Sequence, residues 1–318
     1  MKDLYGRDIT YLRLSVTELC NLRCRYCMPA EGIEKKAHDD MMSEEDMITA
    51  VRAAASLGIH KLRITGGEPL VKPNILSICE KSAAVEGIRE VCLTTNGTLL
   101  PELAVPLREA GVHRINVSLD TLDPAKYAHM TRGGALADAV SGLEAALAAG
   151  FDKIKINAVL IGGFNDDEIP TLADLTKRYP VDVRFIELMP MGGYGSFGAS
   201  AYVPNETVLS MIPEAAPLSQ DDGGVAKLYR LPGAQGNIGL ISPLSDHFCG
   251  QCNRIRLTAD GKFKPCLHSS DEYDAKGLDF GGMVEAIRTV VNAKPSCHPE
   301  LSAARTSPAG RSMNRIGG

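Results

Sequence analysis

The sequence predicts an α/β protein built on a parallel sheet, and two observations carry that expectation. Short runs rich in β-branched and apolar residues alternate with longer helical patterns, which is the signature of successive βα units. Polar residues and glycines also recur at the C-terminal ends of those runs, the face where α/β barrels keep their active sites. These ends are Thr17-Glu18, Thr65-Gly66-Gly67-Glu68-Pro69, Thr94-Thr95-Asn96-Gly97, Ser118-Leu119-Asp120 and Glu187-Leu188-Met189-Pro190. Turn chemistry places Gly, Asn, Asp and Pro in any βα loop, but five such ends in succession point to a shared site. Periodicity leaves an open doubly wound sheet and a barrel-like curl equally allowed.

The first strand is expected over residues 11–16. Ser43 then caps a helix with Glu44, Glu45 and Asp46 in its first turn, ending at Gly58. Further strands are expected at 61–65, 90–95, 114–119, 153–160 and 182–188. Gly133 and Gly134 precede an alanine-rich helix that closes at the C′ glycine Gly150. Another helix is expected over 165–178, with Asp166, Asp167 and Glu168 early and Lys177 and Arg178 late. Six units fit between residues 10 and 190. After Pro190 the pattern changes. Residues 191–200 are glycine-rich, and 212–224 hold Pro213, Pro217, Gln220, Asp221 and Asp222, reading as linker or loop. Short strands follow at 225–231, 236–241 and 253–258, then an Ala259-Asp260-Gly261 turn, a run at 262–266 and a last helix at 281–292. The expected division is thus 1–190, 191–292 and a polar tail, 293–318, ending in Gly317-Gly318.

Composition narrows the function classes. With 318 residues, 44% hydrophobic and 23% charged, the chain is neither disordered nor fibrous. No apolar run approaches the ~18 residues of a membrane span, and the start, Met1 to Gly6, lacks a secretory core, so no membrane role and a cytoplasmic location are expected. A net charge of −5 argues against a nucleic-acid partner and leaves anionic ligands to a local cluster of Lys and Arg.

Nine cysteines, an odd number without an export signal, disfavour disulfides and favour metal or redox thiols. Cys20, Cys24 and Cys27 form C-x3-C-x2-C, while Cys249, Cys252 and Cys266 form C-x2-C-x13-C. Cys79, Cys92 and Cys297 stand alone and read as small buried apolar side chains. Structural zinc wants four ligands, and the first triplet has no fourth Cys or His nearby. A cubic iron–sulfur cluster bound by three thiolates would leave one iron open. The second triplet also lacks a fourth cysteine, and His268 is the one serious fourth ligand for zinc there. Arg254 and Arg256 lie two apart on a probable strand, so both point to one face beside Cys252, suiting a phosphate-bearing substrate.

Cys20-Asn21-Leu22-Arg23-Cys24-Arg25-Tyr26-Cys27-Met28-Pro29, followed by Thr65-Gly66-Gly67-Glu68-Pro69, resembles the radical S-adenosylmethionine (SAM) superfamily. That resemblance implies an incomplete (βα)6 TIM-like barrel with a C-terminal extension carrying a second cluster. It implies a [4Fe–4S] cluster on Cys20, Cys24 and Cys27, and SAM held by Tyr26, Gly67, Ser118 and Met189. Glycines at 66 and 67 would let backbone approach the methionine end of SAM. Adding Thr94-Thr95-Asn96-Gly97, Asn116-Val117-Ser118-Leu119-Asp120, Glu187-Leu188-Met189-Pro190, the second triplet and the terminal Gly-Gly, the chain is similar over nearly its whole length to the GTP 3′,8-cyclase family of molybdenum cofactor biosynthesis.

What this second resemblance implies is a reaction. Cys249, Cys252 and Cys266 would carry a second [4Fe–4S] cluster whose open iron binds guanine. GTP would be held by Arg13, Arg63, Thr94, Lys155, Arg254 and Arg256, with Arg13, Gly317 and Gly318 at the catalytic step. GTP and SAM would give (8S)-3′,8-cyclo-7,8-dihydroguanosine 5′-triphosphate, 5′-deoxyadenosine and methionine. Implied partners are a reduced flavodoxin- or ferredoxin-like electron donor and a downstream cyclic pyranopterin monophosphate synthase, with a homodimer left open. Residues 294–311, with Cys297, match the family's tail less well. The alternatives are a radical SAM peptide-modifying enzyme with an auxiliary cluster and a zinc-stabilised interaction module.

Overall fold

Ser43 opens helix α1 (Glu44–Ser56) with a reciprocal cap: its hydroxyl accepts from the Asp46 amide, and the Asp46 carboxylate accepts from the Ser43 amide. The structure is a computed structural model and describes residues 1–34, 36–191, 197, 199–219, 224–302 and 305–317.

Strands β1 (Tyr11–Ser15), β2 (Lys61–Thr65), β3 (Glu90–Thr95), β4 (Arg114–Ser118), β5 (Lys153–Leu160) and β6 (Val181–Glu187) fall on the expected runs. They pair in chain order, each parallel to the next. Between them run α1, α2 (Ile75–Ala83), α3 (Leu100–Glu109), α4 (Pro124–Thr131) and α5 (Leu136–Ala148). The helix expected over 165–178 is broken into a short turn at Asp166–Glu168, α6 (Ile169–Ala173) and α7 (Leu175–Arg178). Pro170 lacks an amide hydrogen and is tolerated only in a first turn, so a helix has to begin afresh beside it.

The region after Pro190 builds on both edges of this sheet. It supplies the short α8 (Glu206–Met211), then β7 (Ala216–Pro217), β8 (Lys227–Arg230), β9 (Ile238–Ile241), β10 (Arg254–Leu257), β11 (Lys262–Lys264) and β12 (Tyr273–Asp274). The strand order is β12-β11-β10-β1-β2-β3-β4-β5-β6-β9-β8-β7, which has two ends and is the incomplete barrel expected. β10 runs parallel to β1 and β9 parallel to β6, so the extension lengthens the parallel sheet. Helix α9 (Phe280–Asn292) follows, and the chain then reaches α10 (Met313–Ile316). Among the described residues no helix is long and apolar enough to cross a membrane.

The pleat sorts the strand residues into two layers. Leu12, Leu14, Leu62, Ile64, Leu93, Ile115, Val117, Ile156, Val183 and Phe185 are buried in one apolar core, covered by the helices. The intervening positions are aligned across neighbouring strands on the opposite face. Arg256 pairs in register with Arg13, Arg13 with Arg63, Thr94 with Asn116, Asn116 with Lys155, and Asn157 with Arg184.

Candidate functional site

That second layer lines a cavity of about 710 Å³, within the range of ordinary ligand sites. The cavity brings the two cysteine triplets together: Cys20, Cys24, Cys27, Cys249, Cys252 and Cys266 all line it. So do Tyr26, Gly67, Ser118 and Met189, expected for SAM, and Arg13, Arg63, Thr94, Lys155, Arg254 and Arg256, expected for GTP.

The first triplet sits on the loop after β1. The Cys27 and Met28 amides both donate to the Cys24 carbonyl, at 2.9 and 3.1 Å, folding the loop into a tight turn. Arg132 donates to the Arg23 and Met28 carbonyls, at 2.7 and 2.9 Å, bracing it from the end of α4. Burial raises the pKa of all three thiols, Cys27 to about 12 and Cys24 well above its usual value, with neighbouring Cys and Asp120 adding repulsion at Cys24. A metal centre would favour loss of these protons, since the ligand is the thiolate.

The donor sets fit clusters better than single ions. Thiolates sharing one zinc lie about 3.8 Å apart. Among the described residues neither triplet has its three sulfurs all within 4.8 Å of one another. Sulfurs bound to different irons of one cube need that wider spacing.

The Gly66-Gly67 turn also has a packing reason that the sequence did not show. A Cβ on Gly66 would lie 2.7 Å from the Thr17 carbonyl oxygen, and one on Gly67 would lie 2.6 Å from that of Glu18 and collide with that of Leu19. The Gly67 and Glu68 amides donate to the Thr17 and Leu19 carbonyls, both at 2.8 Å. The glycines therefore let this turn press onto the chain that leads into Cys20. Glu68 is buried and accepts from the Asn96 amide, the Thr95 hydroxyl and the Leu70 amide at 2.7, 2.8 and 3.0 Å. Burial outweighs those bonds and raises its carboxyl to about 7. Tyr26 donates to Asp120 at 2.9 Å, and burial raises Asp120 to about 6.

At the other end, Cys249 opens a single helical turn, Cys249–Gln251, Cys252 closes it, and Cys266 follows β11. Lys294 is buried against them, its Nζ 3.8 Å from the Cys252 sulfur and bonded to the carbonyls of Arg254 and Pro265 at 2.7 and 2.9 Å. Burial pushes the Cys252 thiol up, but Lys294 and Arg254 together hold it below its usual value. His268 lines the cavity too, yet its Nδ1 is 3.0 Å from the Ser307 hydroxyl, and burial drops its pKa to about 3.

Between the triplets lie the cations. Arg63 contacts the Tyr11 hydroxyl and donates to Thr94 at 3.1 Å. Burial, then repulsion from Arg256, lowers Arg13 well below its usual value; burial and Arg254 lower Arg256 to about 10. Burial and Arg184 bring Lys155 to about 7. Crowded guanidiniums of this kind suit an anionic ligand. Lys61 and Lys153, which share faces with Arg63 and Lys155, are instead neutralised by Glu90 and Asp182 at 2.6 and 3.0 Å.

The tail folds back into this cavity. Gly317 presents its carbonyl to Arg256 Nη1 at 3.0 Å, its backbone packed against Thr65 and Ser15, and Asn314 donates to the Glu18 carbonyl at 3.1 Å. Arg311 anchors the approach, forming two bonds each to Glu272 and Asp260. Gly318 lies outside the described residues. Of the lone cysteines, Cys79 and Cys92 are buried as expected, but Cys297 is exposed, because the segment after α9 runs over the surface.

Several residues of the site escaped the sequence analysis: Arg114, Asn157 and Arg184 line the cavity and Lys294 bonds the Arg254 carbonyl beside it, while Glu68, Asn116 and Asp120 were quoted only as motif members. Extending the two-residue alternation from Arg13 and Lys155 across every strand would have found the strand residues. Lys294 carries no local signal.

Residues 14–176 match the family model described as Radical SAM superfamily, and residues 181–299 that described as Molybdenum Cofactor Synthesis C. A curated protein of Alkaliphilus oremlandii named GTP 3′,8-cyclase is 46% identical over 323 residues, covering 100% of both chains. One of the same name from Moorella thermoacetica is 44% identical over 327 residues, again covering 100% of both. Among solved structures, Streptococcus suis SuiB bound to precursor peptide SuiA superposes with a TM-score of 0.66 at 15% identity, over 96% of this chain and 76% of that one. Methylornithine synthase (PylB) does so at 0.53 and 16% identity, over 65% and 62%. Those two show likeness of fold alone. The sequence matches go further: the chain belongs to the radical SAM superfamily and, within it, to the GTP 3′,8-cyclase family.

Proposed function

We propose that this chain is a GTP 3′,8-cyclase. It converts GTP and SAM to (8S)-3′,8-cyclo-7,8-dihydroguanosine 5′-triphosphate, 5′-deoxyadenosine and methionine, the first step of molybdenum cofactor biosynthesis. The observation that carries the reading is a single cavity in which two cysteine triplets face each other across a band of crowded cations. Bound [4Fe–4S] clusters supply one-electron reduction of SAM at one end and an open iron for guanine at the other.

The chain's own residues do the rest. Cys20, Cys24 and Cys27 hold the first cluster, and Cys249, Cys252 and Cys266 the second. Tyr26, Gly67, Ser118 and Met189 take SAM. Arg63, Thr94, Lys155, Arg254 and Arg256 take GTP, with Arg13, Gly317 and Gly318 assigned to the reacting step. The triphosphate would offset the mutual repulsion of these guanidiniums, which concentrates positive charge locally in a chain of net negative charge. Residues 1–190 form the SAM half and 191–292 the guanine half. Residues 293–318 are a tail that excludes water from the mouth. A flavodoxin- or ferredoxin-like donor supplies electrons in the cytoplasm, and a cyclic pyranopterin monophosphate synthase consumes the product. A peptide-modifying enzyme has no use for the cation band.

Anaerobic reconstitution followed by mass analysis tests the reading. One hydrogen leaves GTP for 5′-deoxyadenosine, and one electron and one proton return, so the product should share GTP's mass but elute apart from it. Cleavage of SAM with GTP recovered unchanged rejects the assignment.

Lys155 sets a pH dependence. Its pKa is about 7 in the ligand-free site, and a neighbouring phosphate raises it, so binding takes up a proton. GTP affinity should therefore be flat below that value and fall as pH rises above it, and Lys155→Arg should flatten the fall. Titration calorimetry in buffers of different ionisation enthalpy reads the proton directly; no uptake removes Lys155 from the site.

A further inference from the structure

Cys297 lies beside Cys249 at the rim of the cavity. Its sulfur, the Cys249 sulfur and a ring nitrogen of His247 all lie within 4.8 Å of one another, and neither Cys252 nor Cys266 belongs to that group. This is the convergence that one tetrahedral ion requires, tighter than the corners of a cube.

The fold holds these donors together by design of its backbone. Arg7 is buried and ion-paired with Asp3 at 2.6 Å. Its Nη1 donates to the carbonyls of Cys249 and Ser296 at 2.8 and 3.1 Å, and its Nη2 to that of Pro295 at 2.7 Å. One guanidinium therefore clamps the strand of backbone just before Cys297 onto that of Cys249. The His298 ring meets His247, Nε2 to Nδ1, at 2.9 Å. The His298 nitrogens face the carbonyls of Pro299 and Pro243 at 2.7 and 2.9 Å, which makes it an orienting neighbour and not a ligand.

We propose that His247, Cys249 and Cys297 form a site for a single thiophilic divalent cation of the zinc or ferrous class, mutually exclusive with the second cluster because both need Cys249. The exclusivity rests on reading Cys249 as a cluster ligand. Two thiolates and one imidazole leave the fourth tetrahedral position to water, so the site is open and exchangeable. Two thiol protons leave to solvent on binding, and no electron moves.

Cobalt(II) is the probe, since thiolate-to-cobalt charge-transfer and ligand-field bands report tetrahedral sulfur ligation. The full-length chain carries Cys20→Ala, Cys24→Ala and Cys27→Ala to confine the metal to the C-terminal end. In that background, without reconstitution, cobalt should bind with thiolate bands. Cys297→Ser and His247→Ala should each weaken it by about tenfold or more, and Cys252→Ala should leave it unchanged. Both substituted residues are exposed, so their loss opens no core cavity. Reconstitution of the second cluster should abolish cobalt binding. Affinity indifferent to Cys297 and His247, or lost with Cys252, puts the metal on the triplet and overturns the ion site. If Cys249→Ala keeps its four irons after reconstitution, the cluster assignment fails and with it the exclusivity, while the cobalt series still decides the ion site.

Discussion

Cys24→Ala is expected to bind about four irons per chain instead of about eight and to form no 5′-deoxyadenosine from SAM. The size of the effect follows from the geometry. The loop offers three thiols and the described residues around them no substitute donor set, since the nearby polar groups are already committed. Tyr26 is bonded to Asp120, and Glu68 to the Thr95 hydroxyl and two backbone amides. Cys24 is also the turn's pivot, its carbonyl accepting two amides, but those bonds are backbone and survive the substitution. The variant should therefore fold and keep the second cluster. Iron and sulfide analysis with single-turnover chromatography checks both halves; retained SAM cleavage would show that the first triplet is not the reductive site.

Arg254→Ala combined with Arg256→Ala should cost GTP about 2–5 kcal/mol of binding while leaving SAM affinity unchanged. Arg254 lies over the Tyr11 and Phe248 rings, its carbon 5.5 and 6.0 Å from their centres, so it is held rigidly beside the second triplet. Arg256 stands in register with Arg13 and also holds the Gly317 carbonyl. Its loss should therefore lower turnover as well as affinity, whereas Arg254→Ala alone should act chiefly on affinity. Lysine at either position is a poor rescue, because a point charge cannot replace a planar fork on phosphate. Equilibrium dialysis with both ligands separates the effects; GTP affinity equal to that of the unaltered chain would empty the proposed pocket of its principal cations.

Much of this site was readable before any coordinates. The triplets are local features of the chain, Cys20 to Cys27 and Cys249 to Cys252, and local spacing survives folding. The strands matched their runs because alternation reports a pleat with one apolar and one polar face. Where the sequence misled, the cause was distance. Cys297 looked like core filler because nothing near it in the chain shows that Arg7, 289 residues from Ser296, draws that segment onto the surface beside Cys249.

The sequence by itself determined where the strands fall, how each triplet is spaced, and which residues were candidates for chemistry. These depend on propensity, capping and neighbours a few residues away. Only the tertiary structure decided that the two triplets share one cavity, that Arg13, Arg63 and Arg256 stand side by side, and that the tail enters the mouth. Those outcomes depend on strand order and register. Sheet edges join β1 to β10 and β6 to β9 across long stretches of chain, and no short-range pattern encodes which edge a late strand will choose.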